Sequence, residues 1–186
     1  RFNLLLVWAT TTPDTWRIVG GVRCVEERGP VAGTAASSGM EWRDTIEGWP
    51  GYRIRKMRFE AVPGWWIPAL LYEPTKLSGK RPVVLNVNGH DGKGKAADYK
   101  QLRCINQAKR GMIALNVEWI GMGQFASRMS HYQMNQMDLC GTAGIAPFFL
   151  NMSKGLDILL AHPNADPTRV AAVSYTQLTL PTTSSV

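Results

Sequence analysis

Residues 82–123 read PVVLNVNGHDGKGKAADYKQLRCINQAKRGMIALNVEWIGMG, and the other elements of the chain are arranged around this segment. Apolar, partly β-branched runs at 83–87 and 112–117 indicate two buried strands. A glycine-rich loop at 88–94 separates the first strand from a helical pattern at 96–110, which ends at Gly111. This order predicts a βαβ unit with parallel strands and a right-handed crossover.

An antiparallel hairpin is predicted ahead of this unit. Residues 52–60 alternate between the two faces of a strand, Pro63 and Gly64 favour a turn, and residues 65–72 form the returning strand. Pro68 suits an edge strand or a bulge, because proline donates no ladder hydrogen bond. We expect residues 73–79 to be a solvent-exposed linker into the strand at Val83.

A second βαβ unit is predicted after Gly123. Residues 124–145 are polar and rich in methionine, and a segment of this length without a regular pattern usually covers a site. Pro147 suits the first turn of a helix that ends near His162, and a third parallel strand follows at 169–173. The predicted fold class is therefore α/β, with an antiparallel entry hairpin followed by parallel βαβαβ in a mixed, mainly parallel sheet.

The sequence divides into three parts by composition. We expect residues 1–43 to be a poorly defined segment, 44–173 to form one partial domain, and 174–186 to be a foreign tail. The tail is uncharged and rich in serine and threonine, which is typical of adapter read-through. Because the chain does not begin with methionine, we also expect its native amino terminus to be missing, which leaves the compartment open.

Composition narrows the functional classes. Apolar residues make up 45% and charged residues 19%, as in ordinary globular proteins, and no apolar run is long enough to predict a membrane-spanning helix. The 3 cysteines, at 24, 104 and 140, have no metal-binding spacing, so we expect no metal, no disulfide and no cofactor. The net charge is +7, concentrated at 76–110, and apart from Tyr99 no aromatic residues are interleaved with the charges there. A solvated helix face is therefore favoured over nucleic acid.

The first glycine loop allows a phosphate-binding reading. Gly89, Gly94 and Lys95 match the outline of a P-loop, but Ala96 stands where the Mg²⁺-binding serine or threonine should be. Residues 92–97 match a dinucleotide fingerprint only weakly. A nucleotide- or phosphate-binding protein stays open as an alternative, as does a non-catalytic module that grips an anion with the basic segment.

Residues 44–173 as a whole resemble the amino-terminal half of α/β-hydrolases, specifically the acetyl xylan esterase and dienelactone-hydrolase-like group. The segments that carry the resemblance are the entry hairpin at 52–74, NGHDG at 88–92, WIGMGQ at 119–124, CGT at 140–142, DILL at 157–160 and DPTRV at 166–170. They keep their order over about 130 residues, which makes the match more specific than one glycine motif.

The resemblance implies a serine ester hydrolase whose parent substrate is a small-molecule or carbohydrate ester. It assigns the oxyanion-hole role to the backbone of Gly89, His90, Asp91 and Gly92. The residues that could line a substrate pocket are Glu118, Trp119, Gly121, Gln124 and His131. For Glu118, anchoring a loop by accepting N–H bonds is an equal alternative. His162, at a helix end, is expected to favour the helix dipole and to have no catalytic role.

The same resemblance places the nucleophilic serine on a sharp turn after the third parallel strand, as G-x-S-x-G. No glycine flanks Ser174, so we do not expect an elbow there. The catalytic nucleophile, acid and histidine are all expected beyond Val173, outside the part of the sequence that matches. The sequence therefore predicts that the polypeptide as written is inactive as an esterase and prone to aggregate, because its last strand is left as an open edge.

Overall fold

The computed structural model describes residues 39–127 and 131–174. The strands in this part of the chain are β1 (Met40–Ile46), β2 (Tyr52–Val62), β3 (Trp65–Pro74), β4 (Arg81–Asn86), β5 (Ile113–Val117) and β6 (Ala165–Val173). The α-helices are α1 (Asp98–Lys109) and α2 (Ala146–Leu160), and 3₁₀ turns occur at Gly94–Ala96, Gly123–Phe125 and His131–Cys140.

The strands of the described residues form one sheet with the order β1-β2-β3-β5-β4-β6. β4, β5 and β6 run parallel, so the predicted βαβαβ arrangement is confirmed. The β1–β2, β2–β3 and β3–β5 pairs are antiparallel, which makes the expectation of a mainly parallel sheet wrong. The antiparallel share is larger because β3 pairs with β5 as well as with its hairpin partner.

The entry hairpin is confirmed, but Pro68 does not lie on an edge strand. β3 is flanked by β2 on one side and β5 on the other. The Pro68 carbonyl accepts the N–H of Glu118 at 2.9 Å, so its ring nitrogen faces the end of β5, where the Ala69–Val117 pair closes the ladder. Proline is tolerated because this position lies at the end of the β3–β5 ladder, where one missing hydrogen bond does not interrupt the pairing of the residues that follow.

The exposed linker predicted for residues 73–79 begins too early. Glu73 and Pro74 belong to β3 and are buried, and the exposed connection starts at Thr75. Glu73 is fully buried because Arg53, its cross-strand partner on β2, donates Nε–H to its Oε2 at 2.7 Å. A charged residue is rarely buried without such a partner, and the linear sequence does not display it.

β1 extends the sheet beyond the elements that the sequence predicts. It pairs with β2 from Met40 opposite Phe59 to Ile46 opposite Ile54, with a shift in register between Trp42 and Thr45. The strand crosses the boundary that the sequence places between residues 43 and 44. Most of its residues are exposed, so it lacks the buried alternation on which strand prediction depends.

The two faces of the sheet carry separate apolar clusters. Met57 and Phe59 of β2 belong to the cluster that α2 covers, whereas Tyr52 and Ile54 belong to the cluster beneath α1. Tyr52 and Ile54 therefore share one face of β2, and Met57 and Phe59 share the other, which confirms the alternation predicted for this strand. On the α2 side, Gly155 lets the helix approach closely, because an added Cβ would lie 3.3 Å from side-chain atoms of β5. Each large apolar side chain buried here stabilises the fold by about 1.5–3 kcal/mol.

The remaining helix predictions are also confirmed. α2 carries Pro147 in its first turn and ends at Leu160, with Ala161 as its C-cap. α1 begins at Asp98, two residues later than predicted, because Gly94–Ala96 forms a separate 3₁₀ turn. Within the described residues, no helix combines the length and apolar character needed to cross a membrane.

Candidate active site

Two glycine-rich loops and the end of β6 meet at one edge of the sheet. The first loop follows β4 and the second follows β5, and these strands run parallel. A hydrogen bond from the Gly123 N–H to the Gly92 carbonyl at 3.1 Å ties the loops together. The Val87 N–H donates to the Val173 carbonyl at 2.8 Å, so residue 174 lies next to the first loop. This is the edge where parallel sheets bind ligands.

Glu118 anchors both loops from beneath. It is 1% exposed, and its Oε1 accepts the backbone N–H of Lys95 at 2.8 Å and that of Trp119 at 3.3 Å. Its Oε2 accepts the Lys95 ammonium at 2.6 Å and the Gln124 N–H at 3.2 Å. Glu118 was predicted either to line a substrate pocket or to anchor a loop by accepting N–H bonds. These contacts show that it anchors the loops. The carboxylate is occupied on both oxygens and is covered from solvent.

Gly94 and Gly123 make room for this carboxylate. They have φ angles of +58° and +52°, a region that L side chains rarely adopt. A Cβ at Gly123 would lie 2.6 Å from Oε2 of Glu118, and a Cβ at Gly94 would collide with Oε1. Both glycines are therefore required by the anchor, in addition to any role in approaching a ligand.

Lys95 does not have the position of a P-loop lysine. Its ammonium is paired with the buried Glu118 carboxylate and also donates to Oε1 of Gln124. Lys95 is 7% exposed and lies in a 3₁₀ turn that ends before α1 begins. A phosphate-binding lysine needs its ammonium at the surface of the loop, so this geometry does not favour the nucleotide-binding alternative.

The peptide planes of the first loop have a consistent orientation. The Gly89 carbonyl accepts the Lys100 ammonium at 3.2 Å, and the Asp91 carbonyl accepts the Gly94 N–H at 2.8 Å. Within the described residues every peptide bond is trans. In a trans peptide the C=O and the following N–H point in opposite directions. The His90 N–H therefore points away from the Lys100 ammonium and the Gly92 N–H points away from the Gly94 N–H, and both residues are exposed.

Buried amide side chains support this loop from below. Asn88 and Asn116 are 2% and 0% exposed, and Nδ2 of Asn88 donates to Oδ1 of Asn116 at 2.7 Å. Nδ2 of Asn116 in turn donates to the Lys95 carbonyl at 3.1 Å. Paired polar groups of this kind fix a loop more firmly than apolar packing does, because their hydrogen bonds are directional. Sequence reasoning missed them, although Asn at the end of an apolar strand run is a signal that could have found them.

The predicted pocket residues have different surroundings. The Trp119 ring packs against Phe148 of α2 with 4.6 Å between ring centroids, so it belongs to the wall of this edge. Gln124 donates its backbone N–H to the Glu118 carboxylate. Gly121 lies in the turn between Glu118 and Gln124, with a φ of +76°. The His131 side chain lies outside the described part. Its neighbour Tyr132 stacks on His90 at 6.4 Å, which brings the 131–140 segment against the first loop.

The cations of the basic segment mostly have partners within the fold. Besides Lys95 and Lys100, Arg103 donates to the Ser174 carbonyl at 3.0 Å and Lys80 donates to the Pro163 carbonyl at 3.1 Å. Lys93 lies 3.6 Å from the Asp98 carboxylate. These contacts give several of the cations structural roles within the fold, so the anion-binding module is not favoured either.

A cavity of about 710 Å³ lies at the opposite edge of the sheet. Arg53, Arg55 and His162 line it beside the buried Glu73, whose Oε1 is 2.8 Å from Nε2 of His162. Nδ1 of His162 accepts the Asn164 N–H at 3.1 Å, so Nε2 carries the proton that is donated to Glu73. His162 therefore donates a hydrogen bond to the buried Glu73 carboxylate. The sequence predicted only a favourable interaction of His162 with the helix dipole.

The titration of Glu73 reflects this cluster. Burial is the largest single influence and raises the pKa of the Glu73 carboxyl. Hydrogen bonds from His162 and Arg53 and the charges of Arg53 and Arg55 all lower this pKa. Together they outweigh burial, so the pKa of Glu73 lies below its ordinary value. The cluster is remote from the glycine loops because it lies where β3 ends and β4 begins. In the described residues no group of three or more His, Cys, Asp or Glu side chains is arranged to hold a metal ion.

Solved structures that are similar to this chain include esterases. A candidate acetyl xylan esterase from Bacteroides fragilis NCTC 9343 aligns with a TM-score of 0.65 at 17% identity over 74% of this chain. Acetyl xylan esterase 1 from Thermoanaerobacterium sp. JW/SL YS485 aligns with a TM-score of 0.63 at 17% identity over 83% of it. This chain has the α/β-hydrolase fold.

Other comparisons agree with this fold. A dienelactone hydrolase-like promiscuous phosphotriesterase from metagenomic libraries, P91, aligns with a TM-score of 0.50 at 22% identity over 67% of the chain. The chain spans only 42% of the Bacteroides protein, 49% of the Thermoanaerobacterium enzyme and 49% of P91. The chain therefore corresponds to about half the length of these proteins and contains part of the α/β-hydrolase fold. No protein-family model matches the chain, and no curated protein matches it.

Proposed function

We propose that this chain is the amino-terminal part of a serine carboxylic-ester hydrolase and supplies its oxyanion loop. In this proposal a serine on the turn after β6 attacks the acyl carbonyl, a histidine takes and returns the proton, and an acid orients the histidine. Those three residues belong to the part of the parent protein that follows Val173. The backbone of residues 89–92 binds the negative oxygen of the tetrahedral intermediate.

The observation that carries this proposal is the orientation of the first loop. The Gly89 carbonyl accepts the Lys100 ammonium and the Asp91 carbonyl accepts the Gly94 N–H within the loop, so the N–H groups of His90 and Gly92 point away from those two donors. This arrangement faces the edge where β6 ends and where the fold places a nucleophile. A preorganised donor of this kind lowers the barrier by about 3–4 kcal/mol.

The proposed substrate class is an acetylated carbohydrate or a similar small ester. This choice is supported by the acetyl xylan esterases among the similar structures. The Trp119 ring, supported by Phe148, provides an apolar wall at this edge for the acyl or sugar group. His90 and Tyr132 would contact the substrate from the opposite side.

A matched pair of proteins tests the proposal. The genomic locus is recovered and the complete open reading frame is expressed beside the 186-residue chain. The complete protein should hydrolyse p-nitrophenyl acetate, and a serine-directed phosphonate should abolish the reaction. The chain alone should show no reaction above the buffer rate. A complete protein without serine-reagent-sensitive hydrolysis, or an active 186-residue chain, would contradict the proposal.

A further inference from the structure

Lys100 is a buried cation beneath the oxyanion loop. It lies in the first turn of α1 and is 1% exposed, although lysine is among the residue types most rarely buried. Its ammonium donates to the Gly89 carbonyl at 3.2 Å. Burying its charge costs several kcal/mol unless partners offset the lost hydration.

Charges on three elements face this ammonium. The carboxylates of Asp91, in the first loop, and Glu118, at the end of β5, raise the pKa of Lys100, whereas Arg103, one turn later in α1, lowers it. Burial is the largest influence and also lowers the pKa, so the net direction is downward. The ammonium is therefore held by its surroundings while it loses its proton more easily than an exposed lysine.

The contact with Gly89 controls the direction of the next N–H group. Glycine allows its peptide plane more orientations than other residues do, so a loop that begins with glycine needs an outside constraint. The Lys100 ammonium draws the Gly89 carbonyl toward the interior. Because the Gly89–His90 peptide is trans, this contact turns the His90 N–H away from the Lys100 ammonium.

We infer that Lys100 is a positioning residue for the oxyanion hole: its ammonium holds the Gly89 carbonyl and thereby aims the His90 N–H at the developing negative oxygen. The inference rests on the proposed esterase function. The buried positive charge also adds to the electrostatic stabilisation of that oxygen, since charge interactions are stronger where water is excluded. Lys100 does not touch the substrate in this role.

The test uses the complete protein and compares Lys100→Met and Lys100→Arg with Lys109→Met. Lys109 lies in the same helix and contacts Tyr52 at 5.5 Å, far from the loop, so its variant controls for the loss of a lysine. Lys100→Met should lower kcat by about 100-fold or more, with KM changed less than about threefold. Lys100→Arg, which keeps a cation, should recover part of this loss, and Lys109→Met should behave as wild type.

Two readouts separate positioning from a general loss of structure. A phosphonate transition-state analogue should lose affinity for Lys100→Met in proportion to kcat, while affinity for the product acid stays unchanged. In the wild type, kcat should fall in alkaline solution as Lys100 loses its proton, and this limb should be absent from Lys100→Met.

Each result bears on one claim. A Lys100→Met enzyme that retains kcat within about threefold, or that keeps the alkaline limb, overturns the role of Lys100. If Lys100→Met does not fold, the Lys100→Arg variant decides. Wild-type affinity for the transition-state analogue, together with an alkaline limb of kcat that moves to higher pH, supports the role of Lys100. An alkaline limb that does not move overturns it. A wild-type complete protein without ester hydrolysis overturns the proposed function itself and shows that the failure is not specific to Lys100.

Discussion

The carboxylate of Glu118 occupies the space that a side chain at Gly123 would need. A Cβ at that position would lie 2.6 Å from Oε2, closer than real Cβ contacts come, and the backbone φ of +52° would be strained as well. The same carboxylate blocks a Cβ at Gly94. The two glycine-rich loops thus share one buried acid, which explains the glycines at positions 94 and 123.

The first prediction concerns these glycines. Gly94→Ala and Gly123→Ala should each lower the free energy of unfolding by about 3 kcal/mol or more, because strain at positive φ adds to the displacement of a buried charge. Gly92→Ala is the matched control, since nothing lies within 4 Å of its added Cβ. Urea unfolding followed by tryptophan fluorescence measures all three. Equal losses for Gly92→Ala and Gly123→Ala would contradict the account.

The second prediction concerns the buried ion pair between Lys95 and Glu118. Glu118→Gln should cost about 3–5 kcal/mol, because it leaves the Lys95 ammonium buried without its counter-charge. Lys95→Met should also destabilise, but the double variant should lose less than the sum of the single variants. A double-mutant cycle in urea gives the coupling energy. Additive losses would show that the 2.6 Å contact contributes nothing specific.

The third prediction concerns pH and Glu73. The pKa of Glu73 in the fold lies below its ordinary value of 4.5, so its carboxylate stabilises the fold above that pH. The contribution is lost as the pH falls through the lowered pKa. The stability difference between wild type and Glu73→Gln should therefore be largest near neutral pH and shrink in acid. Glu47→Gln, which removes an exposed carboxylate between β1 and β2, is the control. A difference that grows in acid would have the wrong sign.

The fourth prediction concerns Cys104. Burial raises the pKa of its thiol to about 12, and the residue lies in the apolar cluster beneath α1. In a Cys24→Ser/Cys140→Ser background, Cys104 should react with Ellman's reagent only as the protein unfolds, because the thiolate is the reactive form. Reaction rates across a urea series measure this. A native-state rate equal to that of a free thiol would show that the helix does not cover Cys104.

Much of the fold follows from local sequence patterns. The strands around Val83 and Leu115, the hairpin at Pro63-Gly64 and the helix after Pro147 each have a signal contained within a few residues. β1 has no such signal, because its residues are exposed on an edge and its pairing depends on β2. The sheet order β3-β5-β4 is a tertiary choice that periodicity alone does not determine.

The site is less predictable than the fold because its contacts join distant residues. The sequence located the loop of Gly89 and His90 and raised the anchor role of Glu118. It treated Lys100 as one of many cations on a helix face, since the partner that buries it is a backbone carbonyl eleven residues away. It likewise placed Glu73 in a linker, because the partners that allow its burial, Arg53 and His162, lie 20 and 89 residues away in the chain.

The most direct test of the central claim is the structure of the complete protein with a phosphonate bound covalently to its nucleophilic serine. We predict that the phosphoryl oxygen accepts hydrogen bonds from backbone N–H groups of residues 89–92, including that of His90, at about 2.7–3.1 Å. An adduct whose oxygen is bound by other donors, with the amides of residues 89–92 turned into the fold, would contradict it.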